Sequence, residues 1–173
     1  MTPNLDNQDA GREGPRRRLG EDGRVALCVA TFYTELAEKL EGGARAALDE
    51  AGISAIDRFE VPGAFELPVI AKYAAESGRY EAVICLGAVI RGETDHYDYV
   101  CGESARGIQD VQLETGVPCG FGVLTVDTML QALDRVQGGS KRDTGRHAVD
   151  AALASLAVKR ELSGRRSRAG FAG

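Results

Sequence analysis

The feature that most narrows what this chain can fold into is an alternation, repeated four times, of a short apolar run with a stretch of helical periodicity. Arg24–Ala30 (RVALCVA) is the first run. Thr34–Ala51 follows, with Leu36, Leu40, Ala44, Ala47 and Leu48 at helical spacing, Thr34 as a candidate N-cap and Gly52 as the stop. Ile53–Val61 alternates as a second strand, Pro62-Gly63 breaks it, and Glu66–Ser77 reads as a helix. Ala82–Leu86 is a third strand, and Asp95–Thr115 a long helix ending near Gly116-Val117-Pro118. Cys119–Val126 is the fourth strand. Asp127–Gln137 and Asp143–Leu162 are the last two helices, parted by Gly138-Gly139-Ser140. Strand followed by helix implies parallel strands with helical crossovers, and strands this apolar belong in a sheet covered on both faces. The expected fold class is therefore α/β, a three-layer α/β/α sandwich around a four-stranded parallel sheet. Ligands of such sheets bind beyond the carboxyl ends of the strands, so chemistry is sought in the segment after each run.

Several classes of function are excluded first. A chain of 173 residues is close to one domain and can bury a core without disulfide staples. Its formal net charge of -5 argues against nucleic acid as the main partner. The longest apolar run, Ala82–Ile90, is far short of the roughly 20 residues that a membrane span needs. The first 22 residues have no apolar segment of a secretory signal. Cys28, Cys85, Cys101 and Cys119 form no C-x-x-C pair, so no metal site is expected, and a reducing cytoplasm is the natural compartment. Residues 1–22 are polar, with a basic cluster at Arg16, Arg17 and Arg18, and read as a flexible arm. Residues 163–173, with Arg165, Arg166 and Arg168, read as a similar tail, leaving 23–162 as the domain.

After strand one stand Phe32 and Tyr33, two aromatics that can stack on a planar ligand or fill a gap between loop and helix. The run V-P-G-A-F-E-L-P at Val61–Pro68 follows strand two. Pro62 fixes one dihedral, Gly63 frees the next, and Glu66 can cap helix amides or accept from a ligand. After strand three, Gly87–Thr94 mimics the spacing of a phosphate loop. Glu93 stands where a nucleoside triphosphatase needs Lys, so that activity is not supported. Backbone amides at a helix start still suit a small phosphate. His96 is one of two histidines and either a structural residue or a proton shuttle; His147 lies inside the last helix. Near strand four stand Phe121, Asp127, Asp134 and Arg135. Arg135, two turns into its helix, can grip a phosphate or be a solvated charge.

Taken together, V-P-G-A-F-E-L-P, the run G-A-V-I-R-G-E-T-D-H-Y-D-Y-V at Gly87–Val100, and G-V-L-T-V-D-T with Q-A-L-D-R between Gly122 and Arg135 resemble the lumazine synthase family. The resemblance spans about residues 24–162 and implies a flavodoxin-like fold. It implies a transferase of riboflavin biosynthesis that needs no cofactor. In that reaction 5-amino-6-(D-ribitylamino)uracil condenses with 3,4-dihydroxy-2-butanone 4-phosphate to give 6,7-dimethyl-8-ribityllumazine, orthophosphate and water. By resemblance, Phe32 stacks on the pyrimidine, while Ala64, Phe65 and Glu66 contact the pyrimidine and its ribityl chain. Ala88, Val89 and Ile90 hold the ring edge, Glu93 and Thr94 supply phosphate-binding amides, and His96 donates protons. Phe121 and Arg135 come from a neighbouring subunit, so a homo-oligomer is implied, either a pentamer or a sixty-subunit shell of pentamers.

One departure concerns the segment before the last helix. Family members usually carry Lys-Gly where this chain has Thr144-Gly145, the linker Val136–Gly145 is a residue longer than common, and Lys141 and Arg142 are the nearby cations. The competing readings are a lumazine or flavin binder without activity and a shell-forming scaffold on the same fold. His96 and Arg135 together speak against the first, and site residues at every strand mouth against the second.

Overall fold

In the computed structural model residues 23–169 are described; the arm expected over residues 1–22 lies outside them. The elements run β1 (Arg24–Ala30), α1 (Thr34–Glu50), β2 (Ala55–Val61), a 3-10 turn (Ala64–Glu66) leading into α2 (Leu67–Glu76), β3 (Ala82–Ile90), α3 (His96–Thr115), β4 (Cys119–Val126), α4 (Met129–Leu133) and α5 (Thr144–Ala169). The four strands are all parallel, in the order β2-β1-β3-β4. This is a flavodoxin-like order, with the topological switch between β1 and β3.

Because strand side chains alternate, each strand feeds two cores. Val25, Leu27, Val29, Ile84, Leu86 and Leu124 pack under α1 and α5. Ala26, Cys28, Val83, Cys85 and Val123 pack under α2 and α3. Both faces of β1 and β3 are therefore dry, which is why their sequences read as continuous apolar runs. Each large aliphatic side chain fully buried here contributes about 1.5–3 kcal/mol relative to exposure. The outer strand β2 carries Asp57, Arg58 and Glu60, charges that discourage pairing of its free edge.

The α/β sandwich is as the sequence implies, and β1 and β4 begin and end where expected. Other boundaries move for local reasons. At the start of α1 the cap position is Tyr33, and Thr34 is the first helical residue with no capping role. Gly52 takes a left-handed φ of 75°, and the Ile53 N–H then donates back to the Leu48 carbonyl, so β2 starts only at Ala55. Strand β3 continues past Leu86 to Ile90 because β4 stays paired with it through Ile90↔Val126. Helix α4 stops at Leu133, so Arg135 lies just beyond its end rather than two turns inside a longer helix. The last helix, expected to end at Leu162 with a tail from residue 163, instead continues through Ala169. No β-branched residue or proline interrupts that extension, and the Ser163 hydroxyl donates back to the Lys159 carbonyl within the helix. Among the described residues no helix is long and apolar enough to cross a membrane.

Candidate active site

A cavity of about 480 Å³ opens at the carboxyl ends of β1, β2 and β3. It lies at the β1/β3 switch, where the strand order leaves a crevice. Three chain segments distant in sequence line it: Phe32-Tyr33 after β1, Pro62–Glu66 after β2, and residues between Ala88 and Val100 around the end of β3.

The β1 mouth is tied to the β2 mouth by the Thr31 N–H, which donates to the Val61 carbonyl at 3.0 Å. Tyr33 packs against the core beneath α1 and meets Phe32 edge-to-face, with ring centroids 4.9 Å apart. Phe32 itself stays 73% exposed, its ring presented to the cavity. That arrangement suits stacking on a flat heterocycle.

In the β2 turn, Glu66 Oε2 accepts the Gly63 N–H at 3.1 Å, so the carboxylate closes its own turn. Gly63 was expected to supply unusual backbone freedom; its φ of -145° is ordinary extended backbone, so the turn does not depend on a conformation reserved for glycine. Behind the turn, the Ser104 hydroxyl on α3 donates to the Ala64 carbonyl at 3.0 Å. Ser104 is a buried polar residue that the sequence reading passed over.

Ala88, Val89 and Ile90 present backbone rather than function-bearing side chains. The β1–β3 ladder ends at Val29↔Leu86, whereas the β3–β4 ladder runs on to Ile90↔Val126. The edge of β3 that faces β1 is thus left open beyond Leu86, and its amide and carbonyl groups can pair with a ring edge.

Loop residues Gly92 and Thr94 and the first turn of α3 complete the wall. The Thr94 hydroxyl accepts the His96 N–H at 3.4 Å, and His96, exposed, opens the helix. Free amides and the positive end of a helix favour an anion here. Tyr97 also faces the cavity. Burial, and then the Cys101 thiol beside it, holds its phenol above the ordinary value, so it is a neutral hydroxyl at physiological pH. Nothing in the sequence singled out Tyr97 except its place after His96.

Of the expected site residues, Phe32, Ala64, Phe65, Glu66, Ala88, Val89, Ile90, Thr94 and His96 all line this cavity. Glu93 sits in the same loop, exposed, off the lining. Phe121 and Arg135 lie elsewhere. Phe121 is on the edge strand β4 and 40% exposed. Arg135 Nη1 donates to the Gln131 carbonyl at 2.9 Å beyond α4. Among the described residues no Lys or Arg lines the cavity of one chain.

A family model described as 6,7-dimethyl-8-ribityllumazine synthase matches residues 22–160. A protein of that name from Streptomyces coelicolor is 49% identical over 148 residues, covering 85% of this chain and 91% of its own length. One from Streptomyces avermitilis is 48% identical over 143 residues (82% and 88%). Another, from Kineococcus radiotolerans, is 47% identical over 141 residues (81% and 87%).

Proposed function

The chain belongs to the 6,7-dimethyl-8-ribityllumazine synthase family, and from that premise we propose that it condenses 5-amino-6-(D-ribitylamino)uracil with 3,4-dihydroxy-2-butanone 4-phosphate. The observation that carries this reading is the convergence of Phe32, Ala64–Glu66, Ala88–Ile90, Thr94 and His96 on one cavity.

Each part of the wall suits one part of the chemistry. Phe32 stacks on the pyrimidine, and the open edge of β3 pairs with its polar rim. Phe65 and Glu66 flank the ribityl chain. The pyrimidine's 5-amino group adds to the ketone and loses water to give an imine. The carbon next to the imine then loses a proton as the carbon–oxygen bond to phosphate breaks. The enol so formed takes up a proton to become a methyl ketone, and the ribityl-bearing nitrogen closes on that ketone with loss of a second water. No hydride or electron leaves the substrates, so the reaction is proton traffic and positioning. His96, at the mouth of the phosphate loop, moves the protons. Amides of the loop at Glu93 and Thr94 hold the phosphate.

The phosphate carries charge, and among the described residues no Lys or Arg lines the cavity to meet it. We assign that role to Arg135 of a neighbouring copy, with Phe121 of the same copy covering the pyrimidine. The working unit is then a homo-oligomer closed head to tail, a pentamer or a shell of pentamers. Four cysteines without a disulfide suit a cytoplasmic enzyme.

The test is turnover of the purified chain with both substrates, following lumazine absorbance and phosphate release together. Stoichiometric formation of the two supports the reading. Binding of lumazine without phosphate release would make the protein a binder instead.

A further inference from the structure

Arg91 is the first residue past the β3–β4 ladder, its N–H donating to the Val126 carbonyl at 2.9 Å. From it springs the loop that carries Gly92 and Thr94 into the cavity wall and ends at His96. The Arg91 side chain does not follow the loop. Nε donates to Asp127 Oδ1 at 2.9 Å, beyond the end of β4. Nη1 lies 3.6 Å from Asp98 Oδ1, in the first turn of α3. The guanidinium carbon sits 4.2 Å from the centroid of the Tyr97 ring, which itself faces the cavity.

One flat cation therefore touches three groups, Tyr97 and Asp98 on α3 and Asp127 in the bend after β4, and it bridges the base of the loop from its first residue to the residues just past its end. Geometry of this kind fixes a plane. Charge, stacking and the directed N–H of a guanidinium act together, and an ammonium cannot reproduce them. The contribution to overall stability is small, because the pairs are roughly half exposed and solvent screens them. What the contacts restrict is the path of the loop and the direction in which His96 leaves the helix.

We propose that Arg91 is a positioning residue for the phosphate-bearing substrate, clamping the loop and His96 through Asp127, Asp98 and Tyr97 without touching the phosphate itself. The inference rests on the reading that this loop and His96 serve the condensation above. It makes Asp127 a second positioning residue, in the bend after β4, which does not line the cavity.

Steady-state kinetics of Arg91→Gln, Arg91→Lys and Asp127→Asn test it, with Arg106→Gln as the control. Arg106 also pairs with two carboxylates on α3, at Glu103 and Asp110, but away from the cavity. Arg91→Gln and Asp127→Asn should each raise KM for the butanone phosphate about 10-fold or more, since small displacements of a positioned group cost that much. KM for the pyrimidine should stay within about twofold, and thermal midpoints should match that of the control. Arg91→Lys should restore part of the loss only. If Asp127→Asn binds the butanone phosphate as well as or better than the wild type, Arg91 is either idle or a direct phosphate ligand, and the proposal fails. Equal weakening of both substrates, or full rescue by Lys, also overturns it. A wild-type chain without turnover removes both the function and this role, whereas an active wild type with unaltered variants removes this role alone.

Discussion

The hydroxyl of Ser104, on α3, donates to the carbonyl oxygen of Ala64 at 3.0 Å, and both residues are buried. Ala64 opens the 3-10 turn that presents Phe65 and Glu66 to the cavity. The Leu67 N–H also donates to this carbonyl, so the hydroxyl supplies its second hydrogen bond. The bond also joins two segments of the cavity wall, the β2 turn and the helix that begins with His96.

Ser104→Ala should therefore cost about 0.5–1.5 kcal/mol in unfolding free energy, the net worth of one such bond, read by denaturant titration. KM for the pyrimidine should rise more than KM for the butanone phosphate, because the turn holding Ala64–Glu66 is the part left loose. A stability loss with unchanged kinetics would confine Ser104 to folding.

His96→Ala should lower the rate of lumazine formation by about 10- to 1000-fold, in the range of acid–base contributions. Substrate affinity, measured by calorimetry with the pyrimidine, should barely change if, as proposed, the ring is held by Phe32 and the open edge of β3. Unaltered turnover would return His96 to a structural residue at the start of α3.

Gly145 shows how close α5 sits to α1. A Cβ there would run into the Leu40 carbonyl and the Ala44 amide, both backbone atoms that cannot rotate away. Gly145→Ala should destabilise the fold by about 1–3 kcal/mol through overpacking, measurable as a lower denaturation midpoint with an unchanged m-value.

These residues mark what the sequence could and could not yield. Strand positions were legible because β1 and β3 are buried on both faces and so read as apolar runs, and Cys119–Val126 keeps enough of that pattern to fix both its ends. The mouths were legible because ligands of parallel sheets bind there. Arg135 was read into a helix because Asp127–Gln137 has good helix formers, yet α4 gives way at Leu133 to a turn closed by Lys141 N–H to the Asp134 carbonyl. Ser104 and Arg91 were not legible at all. Each acts through a partner far away in sequence, Ala64 and Asp127, and no local spacing encodes such a pair.

Glu41 gives a pH-dependent check on how α1 is held to β2. Its carboxylate accepts from Arg45 Nε and Arg58 Nε, each at 2.8 Å. Burial pushes its pKa up, but the hydrogen bonds from Arg58 and Arg45 outweigh it and the folded value lies below the ordinary one. The folded state thus holds the proton less tightly than the unfolded state. The stabilisation is present above the ordinary carboxylate value and is lost as pH falls through the depressed one. Glu41→Gln should cost less than about 1 kcal/mol at neutral pH, after solvent screening. Its difference from the wild type should shrink as the pH drops below about 4. A difference that persisted in acid would assign the loss to packing of the side chain instead of its charge.

Arg135 and His96 test whether the site is shared between copies. In one chain His96 lines the cavity, while Arg135 lies past α4, outside the lining. If each cavity borrows Arg135 from its neighbour, Arg135→Ala should weaken the butanone phosphate far more than the pyrimidine. Arg135→Lys should rescue it only in part, since a forked donor is replaced by a point charge. The two inactive variants should also complement. In a head-to-tail ring that mixes at random, half the chains carry an intact His96 and half an intact Arg135, so about a quarter of interfaces join one of each. Co-refolding His96→Ala with Arg135→Ala in equal amounts should recover activity to about that fraction of wild type. Mixed rings must be shown to form, by native mass spectrometry with one variant isotope-labelled. Mixed rings as inactive as the separate variants would mean that each chain works alone, and the cavity would then need a different source of positive charge.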